Sequence, residues 1–376
     1  MNRFLVACGG TGGHLAPGIA LAEALLAQGH WVQLVISEKK VDRRLMEKYP
    51  EMTFVSTPGA PFTLNPVGAV KFFYKQVKSW WFCRRLIRQT ETELVIGFGG
   101  FSCVGIAVAS LTERIPLALH ESNRVPGRMV RFFHNLARRI YLPPGVHIRG
   151  LSPEVLRHFG NPVRKEFQKM PAVKARRRLG LDPNRKTLVI LGGSQGAQSL
   201  NQWVKEKFDY LALEGIQVYC ITGLGSSAQS VVTFQARDGQ EVKAYFVNFS
   251  DQMAEILSAA DLVVSRAGAG TIAELVRCRV PSILIPYPYA ADDHQRANAI
   301  YVEAQGGGLV VEQDYMGELH KEVLDTIFND WLLQKFRTNL ERMDRANVLD
   351  QMTRDLIGLA REEAKTRRLR TLEEVN

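Results

Sequence analysis

The sequence predicts an α/β protein made of two doubly wound domains with parallel sheets, and three observations predict it. Short β-rich runs alternate with helical patterns along the whole chain. Most of these runs are continuously apolar, as parallel strands buried on both faces must be. A strand, glycine-loop, helix grammar at "RFLVACGGTGGHLAPG" (residues 3–18) restarts at "TLVILGGSQGAQSLN" (187–201). A chain of 376 residues is long enough for two cores.

In the first half the apolar runs predict strands at Phe4–Cys8, Val32–Ser37, Thr53–Thr57, Leu94–Gly97, Leu117–His120 and Arg139–Tyr141. In the second half they predict Thr187–Leu191, Gln217–Thr222, Val242–Val247, Leu262–Ser265 and Ser282–Pro286. Helical spacing between them includes Gly18–Gln28 and Thr271–Cys278, giving right-handed βαβ units. The boundary falls in the basic, proline-punctuated stretch "GNPVRKEFQKMPAVKARRRLGLDPNRKT", dividing the chain into 1–163 and 164–344. Within it, "KARRRLG" reads as a solvated helix start. The charged tail reads as a terminal helix. Glycine loops also follow the strands in "ELVIGFGGFSCVG" and "DLVVSRAGAGTIAEL". Ligands bind at such strand ends in doubly wound sheets, and two sheets imply a cleft between them.

Composition narrows the partners. The net charge of +10 favours anionic ones: phosphorylated substrates, nucleic acid or an acidic membrane face. Five scattered cysteines with no CxxC pair point to reduced thiols and no zinc site. The apolar start, Phe4–Cys8, is too short for a secretory signal, and no run approaches the roughly 20 residues that cross a bilayer. A soluble protein, at most resting on a membrane surface, is expected.

Glycine lets backbone N–H groups approach an anion, and a following helix adds its positive end. The sequence has no GxxxxGK[ST], which argues against a P-loop NTPase. "GGTGGH" is not a strict GxGxxG, yet Glu38 at the end of the second strand keeps a nicotinamide dehydrogenase open. Thr271 with Glu274 fits either a capping box or a ribose-and-phosphate site.

"VKFFYKQVKSWWFCRRLIRQ" (70–89) places Phe73, Val77, Trp80, Trp81 and Arg84 along one side of a helix. Lys71, Lys75, Lys78, Arg85 and Arg88 flank them. Aromatics ringed by basic residues suit an anionic bilayer surface, whereas a core-facing helix is the plainer alternative. No nucleic-acid-binding motif accompanies the charge.

The motifs "GGTGGH" (9–14), "HESN" with "PG" (120–127), "GNPVR" (160–164), "GGSQGAQSLN" (192–201), "SRAGAGTIAE" (265–274) and "DDHQRANA" (292–299) occur in this order. Together, from about residue 4 to about 310, they resemble the MurG family of bacterial N-acetylglucosaminyltransferases. The resemblance implies a GT-B fold of two Rossmann-like domains, the last helix (about 345–376) packing back on the first. It implies transfer of N-acetylglucosamine from UDP-GlcNAc, held by the C-terminal domain, to the lipid-linked acceptor lipid I, held by the N-terminal domain. An epimerase acting on UDP-sugars is the alternative of related fold.

Carried over by position, Arg164 and Ser194 would contact the donor diphosphate with the backbone of Ala269, Gly270 and Thr271. Glu274 would hold the ribose, the backbone beside Phe249 and Ser250 the uracil, and Gln295 with His294 the GlcNAc hydroxyls. Asn201 and Arg266 would line the same cleft. Thr11, Gly12, Gly13, His14, His120, Glu121 and Asn123 would face the acceptor. Ser122, Phe101 and Val130 depart from the family pattern, all in the acceptor half.

The implied reaction is an inverting displacement that needs a base titrating near neutrality, which points to His14, with Glu121 as second candidate. The helix start beside His14 favours its neutral form. No DxD motif occurs, so no tightly bound metal or other cofactor is expected, with room left for loosely held Mg2+. Further implied partners are the anionic cytoplasmic face of the cell membrane, through Lys71, Phe73, Lys75, Val77, Trp80 and Trp81, and other cell-wall synthesis proteins.

Overall fold

The computed structural model describes residues 1–9, 12–38, 46–59, 66–192, 197–223 and 229–375, apart from the side chains of 12, 66–67, 69, 71, 367–368 and 370–375. The chain forms two units, Met1–Arg164 with Ala346–Asn376, and Lys165–Arg345.

The first unit contains β1 (Arg3–Ala7), α1 (Gly12–Ala27), β2 (Trp31–Ile36), β3 (Thr53–Ser56), α2 (Pro66–Gln89), β4 (Leu94–Gly97), α3 (Ser102–Thr112), β5 (Leu117–His120), α4 (Arg128–Phe133), β6 (Arg139–Tyr141) and β7 (Leu156–Arg157). Its parallel sheet runs β3-β2-β1-β4-β5-β6-β7, so the order reverses between β1 and β4. Period-two alternation builds the core: Phe4 and Val6 face one helical layer, Leu5 and Ala7 the other.

The second unit contains α5 (Ala172–Arg178), β8 (Thr187–Leu191), α6 (Gln198–Leu213), β9 (Gln217–Ile221), β10 (Ser230–Gln235), β11 (Glu241–Val247), α7 (Met253–Ala259), β12 (Leu262–Ser265), α8 (Ala269–Cys278), β13 (Ser282–Leu284), α9 (His294–Ala304), β14 (Gly308–Val310), α10 (Leu319–Ile327) and α11 (Asp330–Met343). Its order is β10-β11-β9-β8-β12-β13-β14, reversing between β8 and β12. Leu188 and Ile190 of β8 pack with Leu200, Trp203 and Val204 of α6.

The last helix, α12 (Val348–Val375), belongs to the first unit. Met352, Leu356, Leu359 and Ala360 join the core around Leu15 and Ile19 of α1. Asp355 fastens it to the sheet edge: Tyr141 Oη donates to Oδ2 at 2.8 Å and Arg157 Nε to Oδ1 at 3.1 Å.

Three expectations need correction. Helix α1 starts at Gly12 rather than Gly18. Pro17, one turn in, gives up only a bond to the Gly13 carbonyl. Gly18 is there for close packing, because a Cβ would come within 2.4 Å of Cys8 Cβ. Strand β10 is antiparallel to β11 and mostly exposed, so neither the parallel rule nor an apolar run marks it. "KARRRLG" is not simply solvated: Arg176 is buried, donating to Asp261 at 2.6 Å and to the carbonyls of Ala259 and Pro183.

Candidate functional site

In each unit the point where strand order reverses gathers the glycine loops, the arrangement that places ligands at strand C-terminal ends. In the first unit, β1 feeds α1, whose third residue is His14, half-buried. Its imidazole lies against the turn after β4. A Cβ on Gly99 would sit 3.0 Å from His14 Nε2, and one on Gly100 3.4 Å from Nδ1. Both glycines also have positive φ, +107° and +80°. Conformation and space thus both demand glycine, so this turn is a seat for the histidine that sequence reasoning missed. Its signal was the weaker repeat "GFGG". Gly13 is exposed on α1. Thr11 lies outside the described residues, as does anything beyond the backbone at Gly12.

His120, expected at the acceptor, is buried, with 1% exposure. Its Nε2 lies 3.2 Å from the Gly160 carbonyl, its Nδ1 3.4 Å from Ser122 Oγ, and its ring 4.8 Å from that of Phe98. Burial, followed in size by the opposing Gly160 hydrogen bond, pushes its pKa down to about 4. An unfolded histidine titrates near 6.5, so the stability its burial as a neutral ring supplies is complete above about pH 6.5. That stability declines as the pH falls towards 4. Thermal denaturation between pH 7 and 4 is expected to show this loss, and a His120→Gln variant to show a shallower one.

Glu121, the second candidate base, is buried as well. Its buried carboxylate accepts from the N–H groups of Gly127 at 2.6 Å and Asn123 at 2.9 Å, and from Asn123 Nδ2 at 3.2 Å. These bonds tie it to the loop that leads into α4, with Asn123 among its donors. Arg164 falls in the first unit, not the second, and its Nη1 donates to Tyr49 Oη at 3.4 Å.

In the second unit α8 begins directly beyond β12. Its cap is Gly268, so Ala269, Gly270 and Thr271 form its first turn with N–H groups at the positive helix end. This removes the capping box, since Thr271 is the third helical residue and no side chain caps the helix. Glu274 lies one turn further on, half-buried. Beside the helix start, Arg266 is buried and stacks on Tyr287 at 5.5 Å. Its guanidinium donates to the carbonyls of Ile285 and Pro286, to Ser199 and to Gln313. Burial lowers its pKa. A guanidinium held by neutral acceptors keeps its positive field near the helix end. Ser199, Gln313 and Tyr287 were missed; only Ser199 stood inside a quoted motif.

Asn201 is buried and donates to the Thr222 carbonyl at 2.8 Å, bracing the end of β9. Phe249 and Ser250 lie between β11 and α7, where Ser250 Oγ accepts from the Gln252 N–H at 3.1 Å. Asp292 and Asp293, both left-handed at φ 53° and 54°, lead into α9. There Gln295 Oε1 accepts from the Tyr287 N–H at 3.0 Å, and His294 Nδ1 lies 2.6 Å from the Ala291 carbonyl. Ser194 lies outside the described residues. Among the described residues no group of three His, Cys, Asp or Glu is arranged to hold a metal ion.

On α2, Val70, Phe73, Tyr74, Val77 and Trp81 form a stripe 61–71% exposed. Trp80 is corrected: it packs against the core and donates to Thr112 Oγ1 at 3.2 Å. Arg84 and Arg88 both pair with Glu113, the residue that follows α3. Lys75 lies near the stripe, donating to the Gly59 carbonyl at 3.4 Å. The side chain of Lys71 is outside the description. Among the described residues no helix is long and apolar enough to cross a membrane.

Comparison with known proteins adds an independent line. Residues 4–142 match the glycosyltransferase family 28 N-terminal domain, and 187–352 its C-terminal domain. A UDP-N-acetylglucosamine–N-acetylmuramyl-(pentapeptide) pyrophosphoryl-undecaprenol N-acetylglucosamine transferase from Opitutus terrae is 53% identical over 96% of each chain. A protein of the same name from Hydrogenovibrio crunogenus is 35% identical, covering 86% of this chain and 88% of its own. Among solved structures, Acinetobacter baumannii MurG superposes with a TM-score of 0.72 at 23% identity, over 95% of this chain and 99% of that one. The glycotransferase of kitacinnamycin gives 0.69 at 16%, over 96% and 99%. At these identities the structures speak to fold alone.

Proposed function

The chain belongs to glycosyltransferase family 28, and from that membership we propose that it moves N-acetylglucosamine from UDP-GlcNAc to lipid I, forming lipid II for peptidoglycan synthesis. The acceptor group is the C4 hydroxyl of the N-acetylmuramoyl sugar, and the displacement inverts the anomeric carbon. The observation that carries this reading is the 53% identity over 96% of each chain to the Opitutus terrae transferase.

The geometry supports a division of labour. The exposed start of α1, with His14 seated on the Gly99–Gly100 turn, serves the acceptor, and His14 takes the proton from the attacking hydroxyl. In the second unit the first turn of α8 and the Arg266 guanidinium offset the negative charge that grows on the departing diphosphate. Glu274 accepts from the ribose hydroxyls, and the Gln295 amide, oriented by the Tyr287 N–H, meets the GlcNAc hydroxyls. The test is UDP release from UDP-GlcNAc with and without a lipid I analogue. Release that depends on the analogue is expected; release indifferent to it overturns the reading.

The α2 stripe supports peripheral attachment to the anionic cytoplasmic membrane surface, with exposed Lys78 and Arg85 beside it. Exchanging Phe73 and Trp81 for Ser is expected to reduce co-sedimentation with phosphatidylglycerol vesicles at least fivefold. Exchanging Trp80, which packs inward, would cost stability instead. Undiminished sedimentation of the Phe73/Trp81 variant would exclude this surface.

A further inference from the structure

His120 was expected at the acceptor, and the structure buries it. It is nonetheless a costly group to bury, and its contacts run in two directions. A carbonyl oxygen can only accept, so the 3.2 Å approach of Nε2 to the Gly160 carbonyl makes Nε2 the protonated nitrogen of the neutral ring. Gly160 is left-handed at φ +101°, and its own N–H donates to the Leu142 carbonyl at 3.3 Å. Both polar groups of this glycine are therefore gripped. The next residue is gripped too, because Ser122 Oγ donates to Asn161 Oδ1 at 3.1 Å. Pro162, buried, follows, and then Val163 and Arg164. In the other direction the ring packs on Phe98 at 4.8 Å, immediately before the Gly99–Gly100 turn that seats His14.

We propose that His120 is a positioning residue for glycosyl transfer: its Nε2–H fixes the Gly160 carbonyl and thus the course of residues 160–164, while its ring supports the turn beneath His14. The two directions serve one purpose. The segment ending in Arg164 and the seat of the acceptor-side histidine are held by the same side chain, so neither can shift without the other. Glutamine places an amide N–H close to the Nε2 position, whereas phenylalanine keeps the ring packing and removes the donor. This separates the hydrogen bond from the packing. Ser122 adds a second clasp, on Asn161.

The inference rests on the transferase reading, so the wild-type protein must first show UDP release dependent on a lipid I analogue; its absence would fault that reading and not this one. Given that activity, His120→Phe is expected to lower kcat at least tenfold. His120→Gln is expected to recover at least a third of the wild-type value, and the pH dependence of kcat should keep its shape in both, because His120 carries no proton in the reaction. Pairing His120→Phe with Arg164→Ala should cost less than the product of the single losses, since the first already displaces Arg164. Thermal denaturation of each variant fixes the folded fraction to which kcat is referred. Wild-type kcat in folded His120→Phe protein, equal losses in the Phe and Gln variants, or strictly multiplicative losses in the pair would each overturn the proposal. Should His120→Phe fail to fold, the Gln variant alone decides: a tenfold loss there removes the hydrogen bond as the cause.

Discussion

His14→Ala is expected to lower acceptor-dependent turnover by about 10²–10⁴-fold, the usual contribution of a positioned general base. UDP affinity should stay within about twofold, because the nucleotide is assigned to the second unit and His14 to the first. The structure sharpens this expectation beyond the residue type. The ring sits in the first turn of α1 at the sheet's reversal point, half-buried, with a glycine turn shaped around it. Alanine removes the imidazole but leaves helix and turn intact, so the loss should fall on kcat and not on folding. The check is steady-state kinetics with a lipid I analogue, beside calorimetric titration with UDP. Unchanged kcat would remove His14 as the base, and loss of UDP affinity in step with kcat would move it to the donor.

The fold was largely legible because its signals are local and redundant. Leu94–Gly97, Leu117–His120, Arg139–Tyr141, Thr187–Leu191 and Leu262–Ser265 coincide with the strands as read, since buried parallel strands leave unbroken apolar runs. The exceptions all lie at sheet edges. β7 and β14 are edge strands of two and three residues, too short for any periodicity, and β10 is exposed. At the site, residue type and neighbourhood were legible but role was not. His120 and Glu121 sit in one motif, and both are buried, because sequence shows which residues cluster but not which way they face. Trp80 and Trp81 make the same point: adjacent on α2, one packs inward and its neighbour is 65% exposed. What sets them apart is the close approach of α2 to α3, where a Cβ on Gly105 would meet Ser79 Oγ at 2.1 Å. That contact joins residues 26 positions apart, beyond the reach of any local pattern.

Glu121 provides the other large effect, and it separates a clamp from a catalyst. Glu121→Ala leaves three donors, the N–H groups of Gly127 and Asn123 and the Asn123 amide, without the carboxylate that accepts from them. A fully buried donor stripped of its acceptor costs about 1–3 kcal/mol, and these three are half-buried, so a loss of about 3 kcal/mol is expected. That is a substantial share of the 5–15 kcal/mol typical of a whole domain. Urea denaturation would report it as a lower midpoint at unchanged slope. Glu121→Gln decides the role. A base would lose turnover by about 10² or more on amidation, with stability nearly preserved. A clamp behaves in the opposite way: the amide nitrogen must face one of the N–H donors, so stability falls, while protein that remains folded keeps kcat within about tenfold. The 2.6 Å contact with the Gly127 N–H makes the second outcome the expected one, since the oxygens of this carboxylate are already committed to three donors of its own loop.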